Sequence, residues 1–374
     1  MTNNHERCKA KIEKLLAPAD VRINGSRPWD IKVHDDRMYP RVLGGGSLAF
    51  GESYMDGWWD CEAIDELLTR ILRVDLGARV EGWREWLSLA ISYLINRQTA
   101  RRSYVVGEQH YDVGNDLYER MLDERMIYSC GYWRNANNLD DAQEAKLDLA
   151  CRKLGLKPGM RVLDIGCGWG GAARYAAETY GVDVVGVTIS HEQVEKAEEV
   201  CAGLPVEIRL QDYRELDEKF DRIFSIGMFE HVGFKNYRRY MEVASRCLKE
   251  NGMFLLHTIG FPLSSAKIDP WIAKYIFPNS MLPSVKQIGK AMENLFVMED
   301  WHNFRADYET TLLAWYRNFN NNWAELSKSY DSRFRRMWNF YLLGSAAGFR
   351  SGRNQLWQIV MSKPGRPGGY RSIR

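Results

Sequence analysis

The residues best suited to chemistry in this 374-residue chain fall in three places. The segment VLDIGCGWGG (162–171) runs from an apolar stretch into glycines, whose bare backbone can approach a ligand closely and open a helix N-terminus toward it. Its spacing is GxGxG with Asp164 just before it, unlike the GxGxxG dinucleotide fingerprint. No Lys-Ser/Thr pair follows, which disfavours the phosphate chemistry of a P-loop. A tight strand-to-helix turn is the plain alternative. The segment GMFEHVG (227–233) places Glu230 and His231 after a second apolar run, at the strand end where open α/β sheets bind ligands; an exposed pair is the alternative there. Cys130, His257 within MFLLHTI, and Tyr308 can also act chemically. Each alone has a structural reading: a small buried thiol, a satisfied core histidine, a packing tyrosine.

Positioning such residues needs a scaffold, and the chain supplies one from Met160 onward. Short β-branched runs, MRVLDI, VDVVGV, VEIRL, FDRIFSI and MFLLHTI, alternate with helical segments starting near Gly170, Ser190 and Lys235. That alternation predicts a parallel sheet wrapped by helices. After His257 come a Pro-rich irregular stretch (Phe261–Pro283), a helix near Ser284–Glu293, and aromatic-rich helices near Tyr308–Leu326 and Ser332–Phe349. A last strand, QLWQIVM (355–361), can close the sheet, and the basic tail after Pro364 reads as loose. Before the sheet, helices are expected near Ala10–Leu16 and Ala63–Leu72, around a turn-rich middle containing Gly44, Gly45 and Gly46. Trp83–Ile95 reads as an almost wholly apolar helix, and the arginines after it as a linker.

Composition bounds the rest. At roughly 150 residues per domain the length suggests two or three domains. Charge is nearly balanced, 51 Lys+Arg against 49 Asp+Glu, so no basic field points to nucleic acid. The least interrupted apolar stretch, Trp86 to Ile95, covers about half of the roughly 20 residues a membrane-crossing helix needs. The N-terminus is charged where a secretory signal is apolar, and the seven cysteines show neither CxxC pairs nor metal-finger spacing, so a reduced cytoplasm and no metal are expected. The aromatic content, 12%, is high.

VLDIGCGWGG resembles the S-adenosylmethionine loop of class I methyltransferases. That resemblance implies that Gly166, Gly168 and Gly170 shape a cofactor pocket, with Thr188, Ile189 and Gln193 near its ribose and methionine and Gln211 and Asp212 near its adenine. The acidic residue many such enzymes carry at the end of strand two is replaced here by Val187-Thr188. The Asn/Asp-Pro-Pro-aromatic motif of amino-DNA methyltransferases is absent.

Several longer motifs, HYDVGNDLY (110–118), YSCGYW (128–133), GMFEHVG, LLHTIG (255–260), DPWIAKYIFPN (269–279) and MEDWHNFRADYETTLLAWY (298–316), together resemble the cyclopropane-fatty-acyl-phospholipid synthases. The resemblance implies an α/β class I methyltransferase fold: a doubly wound, mostly parallel seven-stranded sheet, with a smaller N-terminal α+β domain. The implied layout is a lipid-engaging domain at 1–95, a linker at 96–108 and a catalytic domain at 109–374. It implies an enzyme that adds a methylene from S-adenosylmethionine across a cis double bond of a phospholipid acyl chain. It also implies a bound bicarbonate as base, held by Cys130, Glu230, His257, Ile259 through its backbone, and Tyr308, with Tyr111 at the cofactor. A phospholipid membrane surface, contacted peripherally from the cytoplasmic side, and a homodimer are the implied partners. The apolar 83–95 segment with its arginines, Arg333/Arg335/Arg336 and the basic tail are candidates for touching the lipid, though burial between domains or a solvated helix face fits the first two equally or better. Aromatics concentrated in 104–133 and 296–341 are expected to surround the acyl chain and the cation formed on it, alongside ordinary packing. A related fatty-acyl methyltransferase leaving a methyl branch or methylene, and a non-enzymatic lipid-binding protein with a vestigial loop, stay open as alternatives. One departure stands out: Arg305 in HNFRADY occupies a position where the family has Gly, and is expected to point to solvent, the alternative being that it alters the anion site.

Overall fold

The computed structural model describes residues 2–74, 114–264 and 268–374. The expected helix at 83–95, the linker at 96–108 and Tyr111 lie outside them. The chain divides into two units drawn from separated segments. One holds Met1–Ile95, Lys267–Pro278 and Leu312–Asn354; the other holds Asn96–Ala266, Asn279–Thr311 and Gln355–Arg374.

In the first unit the helices Thr2–Leu16, Met38–Met55 and Ile64–Arg73 surround a two-stranded antiparallel ribbon, β1 (Lys32–Val33) and β2 (Trp59–Asp60). The helices Pro270–Tyr275 and Ser332–Ser351 complete it. The expected turn at Gly44–Gly46 is instead part of the helix Met38–Met55. That helix kinks at Gly46, whose φ of 56° and ψ of −138° only glycine adopts readily. Rings fill the core: Phe50 stacks on Trp59 with centroids 4.4 Å apart, and Trp271 meets Phe340 edge-on at 4.9 Å.

In the second unit seven strands form one sheet: β3 (Arg161–Ile165), β4 (Asp183–Thr188), β5 (Val206–Leu210), β6 (Phe220–Ile226), β7 (Leu248–Gly260), β8 (Val297–Asn303) and β9 (Gln355–Ser362), in the order β5-β4-β3-β6-β7-β9-β8. The first five run parallel and β9 is antiparallel to both its neighbours, as the mostly parallel seven-stranded expectation requires. Central strands covered on both faces read as unbroken apolar runs, which is why they were legible. Leu163, Ile223, Leu256 and Ile359 face the helices Tyr237–Cys247 and Val285–Met292. Val162, Phe224, Leu255 and Val360 face Leu147, Ala150 and Leu154 of the helix Leu139–Leu154, and Ala173 and Ala176 of the helix Gly171–Tyr180. The strand β8 was not expected. It lies at the sheet edge, with Val297 and Met298 exposed and polar residues between, so it lacks the apolar pattern. The tail is not loose: Ser372 and Arg374 bond to the Asp300 carboxylate at 2.5–3.0 Å.

Candidate active site

The strand β3 turns into the helix Gly171–Tyr180 through the glycine loop. The amides of Gly166 and Cys167 donate to the Val187 carbonyl at 2.9 and 3.1 Å, tying the loop to the end of β4. Gly166 has φ +85°, and a Cβ there would lie 2.7 Å from Cβ of Met228, so the loop packs directly on the segment leading to Glu230. Gly168 has φ +55° and nothing within 4 Å of where its Cβ would be, leaving an open cradle; Gly170 also has positive φ. Trp169 closes the outer side, its indole donating to Asn115 Oδ1 at 3.2 Å and its ring 4.9 Å from Tyr118, so these two residues of the HYDVGNDLY motif pack on the loop.

The other cofactor candidates stand at neighbouring strand ends. Thr188 Oγ1 donates to Gln193 Oε1 at 2.7 Å, and Ser190 caps the helix His191–Val200. Ile189 is half-buried between them. The Gln211 amide donates to the Thr188 carbonyl at 2.9 Å. Asp212 is buried and bound by the Arg214 guanidinium at 2.6 and 2.8 Å, so its carboxylate already has a partner. Asp164 was noted only as the acidic residue before the loop. It is buried, its Oδ2 has no partner among the described residues, and burial pushes its pKa up to about 8 against the pull of Lys146. An open glycine cradle beside an unpaired buried carboxylate fits a ligand with a backbone-hugging body and a cationic group, as S-adenosylmethionine is.

Behind Met228 the implied anion residues gather. Glu230 lies in the 3₁₀ turn Phe229–His231 after β6 and is 6% exposed. The Ile259 amide donates to its Oε1 at 2.6 Å, whereas Oε2 has no partner among the described residues. Burial pushes its pKa up to about 7, with the Ile259 amide pulling the other way. The backbone of Ile259 thus enters the site by orienting Glu230. His257, two residues earlier on β7, is fully buried with neither ring nitrogen bonded among the described residues. Burial first, then the charges of Lys146 and Lys153, hold it well below the usual imidazole range, so it is neutral. Cys130 is fully buried, its thiol donating to the Gly131 carbonyl at 3.1 Å and pushed up by burial.

The YSCGYW segment is stapled to the start of the helix Arg305–Asn321. The Gly131 amide donates to Thr311 Oγ1 at 3.0 Å, the Trp133 amide to Asp307 Oδ1 at 2.7 Å, and Tyr132 meets Phe304 edge-on at 5.3 Å. Phe304 is the hub: its carbonyl is 3.9 Å from the Cys130 sulfur and accepts the Tyr308 amide at 3.1 Å, and its ring lies 6.1 Å from that of His257. Tyr308 is 8% exposed, one turn on. Arg305 is exposed, with its amide donating to Asn303 Oδ1, as the solvent-pointing expectation has it.

Three more polar groups here escaped sequence reasoning. Gln143 and Lys146, on the helix Leu139–Leu154, are both fully buried; Gln143 Nε2 donates to the Ser129 carbonyl at 2.8 Å and Lys146 Nζ to Ser129 Oγ at 3.0 Å. Lys146 lies four residues from Ala142 and from Ala150 along the apolar stripe, a pattern that could have revealed it. Gln358, buried with both amide atoms unpartnered among the described residues, faces His257 across the β7–β9 ladder.

Comparisons with known proteins address the family and the fold. Residues 98–359 match the sequence profile of the family described as mycolic acid cyclopropane synthetase. The chain is 55% identical, over 94% of its length and 92% of the relative's, to the cyclopropane-fatty-acyl-phospholipid synthase of Escherichia coli K12. It is 34% identical, over 68% of its length and 96% of the relative's, to cyclopropane mycolic acid synthase 1 of Mycobacterium tuberculosis H37Rv. Among solved structures it is similar to the cyclopropane synthase MmaA2 from Mycobacterium tuberculosis (TM-score 0.66, 30% identity, 70% of this chain and 98% of that one). It is likewise similar to a mycolic acid cyclopropane synthase complexed with SAH (TM-score 0.65, 32% identity, 70% of this chain and 98% of that one). A glycine cradle in a methyltransferase sheet, a polar cluster behind it and these matches lead to one assignment: the chain belongs to the mycolic acid cyclopropane synthetase family of S-adenosylmethionine-dependent methyltransferases.

Proposed function

We propose that this chain adds a methylene group from S-adenosylmethionine across the cis double bond of an unsaturated phospholipid acyl chain, closing a cyclopropane ring, with bound bicarbonate as the base. The observation that carries this reading is the set of buried polar atoms without partners among the described residues, Glu230 Oε2 and both nitrogens of His257, gathered with Cys130 behind the glycine loop. Buried polar atoms are nearly always paired, so three unpaired ones together argue for an occupant of donor-and-acceptor character such as a small oxyanion. The 55% identity to a relative named for phospholipid acyl chains supports the substrate.

S-adenosylmethionine supplies an electrophilic methyl group when bound, and bicarbonate a proton acceptor. The chain's own residues do the rest. Gly166, Gly168 and Gly170 leave room for the cofactor backbone, and Asp164 can meet its cationic group. An alkene is a poor nucleophile, so Phe304, Tyr132 and Tyr308 exclude water, and ring faces favour the developing cation by roughly 0.5–2 kcal/mol per contact. The un-ionised Cys130 thiol keeps a thiolate nucleophile away from the sulfonium. Glu230, held by the Ile259 amide, would hold the oxyanion together with Cys130 and His257.

The test is turnover on phospholipid vesicles with S-adenosylmethionine carrying a fully deuterated methyl group. Ring closure removes a hydron from the added carbon, so the expected lipid keeps two of the three deuterons, and turnover drops when bicarbonate is removed. A product keeping all three would be a methyl branch and would contradict the reading. Proton NMR separates a ring from an exocyclic methylene.

The same reading includes peripheral contact with a phospholipid surface on the cytoplasmic side and a homodimer, both supported by the family resemblance. Among the described residues no helix is long and apolar enough to cross a membrane. Arg333, Arg335 and Arg336 are poor lipid anchors. Arg333 pairs with Asp56 at 3.0 Å, Arg335 bonds Asn320 Oδ1 at 3.0 Å, and Arg336 bonds the Trp59 carbonyl and Asp60 at 2.8 and 2.7 Å. The candidates left to the reading are the 83–95 segment with the arginines after it, which lies outside the described residues, and the basic tail. Flotation with anionic vesicles at low salt is expected to carry the protein up, and its absence there would sink the membrane contact.

A further inference from the structure

The helix Leu139–Leu154 buries two lysines on the face it turns to the sheet. Lys153 has its compensation: its Nζ is 3.7 Å from the Asp300 carboxylate and 3.1 Å from His302 Nδ1. Lys146 is different. It is fully buried, and among the described residues its ammonium makes one hydrogen bond, 3.0 Å to the neutral hydroxyl of Ser129, with no carboxylate within 4.0 Å. A buried cation without a counter-charge is strongly disfavoured, so something negative must answer it. The charges of Asp123 and Asp164 reach it from farther off. The oxygens of Asp123, however, accept the Ile127 and Arg125 amides, and Asp164 Oδ2 makes no hydrogen bond to Lys146 or to any other group among the described residues.

The other neighbour is the anion site. Ser129 precedes Cys130, and its Cβ lies 3.9 Å from where a Cβ on Gly227 would be; the Gly227 amide donates to the His257 carbonyl at 2.9 Å. Lys146 therefore stands directly behind the wall that Cys130 and His257 form. That wall needs a cation. The charges that reach His257 are those of Lys146 and Lys153, and Lys153 already has the Asp300 carboxylate beside it.

We propose that Lys146 is a positioning residue for this site: its buried charge, fixed by Ser129, holds a small planar oxyanion against Cys130, Glu230 and His257. The proposal rests on the reading of that cluster as an anion site. The test uses the full-length protein with S-adenosylmethionine and phospholipid vesicles in carbonate-free buffer, with bicarbonate added back. For Lys146→Met, which keeps length and loses charge, the bicarbonate concentration giving half-maximal rate is expected to rise at least ten-fold. Binding of S-adenosylhomocysteine by calorimetry should stay within two-fold and thermal melting should not fall. Ser129→Ala should shift the bicarbonate requirement in the same direction by less. Lys146→Gln gives the same readout if the Met variant does not fold. An unchanged bicarbonate requirement in the charge-free variants overturns the role of Lys146, as does a loss confined to S-adenosylhomocysteine binding. Indifference of the wild type to bicarbonate overturns the anion site itself, so the two failures are distinguishable.

Discussion

At Glu230 two forces oppose each other: burial drives the carboxyl toward its neutral form, and the Ile259 amide favours its charge. Burial prevails. The folded protein holds the proton to about 7 against an ordinary value of 4.5, so between those values the fold binds more protons than the unfolded chain and loses stability as pH rises. Glu230→Gln removes that dependence. Relative to wild type, the variant should gain on the order of 3 kcal/mol between pH 4 and pH 8 in bicarbonate-free denaturant titrations while losing ring formation. A difference that stays flat with pH would show that Glu230 titrates normally. Gly168 gives a second test. An alanine must adopt φ +55° at a cost of about 1 kcal/mol and would also occupy the open cradle, so Gly168→Ala should weaken S-adenosylhomocysteine binding by ten-fold or more with only a small drop in melting temperature. The glycines were legible because their spacing sits in one short stretch of chain. Gln358 was not, because what makes it unusual is burial opposite His257, set by pairing with a strand far away in sequence, and Lys146 was signalled only by its place in the apolar stripe of its helix.

Among the elements, apolar runs gave away the strands that are covered on both faces, and Ser190 and Ser284 marked helix starts by their capping hydroxyls. The edge strand β8 carried no such pattern. The helix Met38–Met55 was hidden by three consecutive glycines, residues that weaken helices, held here by packing around the kink. Those glycines are not equivalent. Nothing lies within 4 Å of a Cβ at Gly44, so Gly44→Ala should raise stability by about 0.5–1 kcal/mol. A Cβ at Gly45 would stand 2.7 Å from that of Ala49, so Gly45→Ala should lower it. Paired thermal melts check the contrast, and equal shifts would contradict the kinked geometry. Gly51 faces a harsher limit. Its Cβ would lie 2.4 Å from the Trp271 ring, and Gly51→Ala should cost roughly 1–3 kcal/mol by denaturant unfolding.

For the whole molecule, the aromatic surplus divides. Phe50, Tyr54, Trp59, Trp271 and Phe340 pack with one another in the first unit, and Tyr330, Phe334 and Trp338 stack along the helix Ser332–Ser351 with centroids 4.4 and 5.6 Å apart. Tyr330, Phe334, Trp338 and Phe340, four of the thirteen rings in 296–341, are taken up by such packing, whereas Phe304 and Tyr308 stand with Tyr132 at the site. The family, the sheet and the glycine loop were readable from linear motifs. The assembly of each unit from separated segments was not, because it depends on which distant stretches pack together. The central claim, ring formation on a phospholipid acyl chain at the Glu230–His257 site, is tested most directly by expressing the protein in cells lacking cyclopropane lipids and recording proton NMR of the extracted phospholipids. Wild type should give ring methylene signals that Glu230→Gln does not. Lipids without rings from the wild type, or rings undiminished in the variant, would contradict the account.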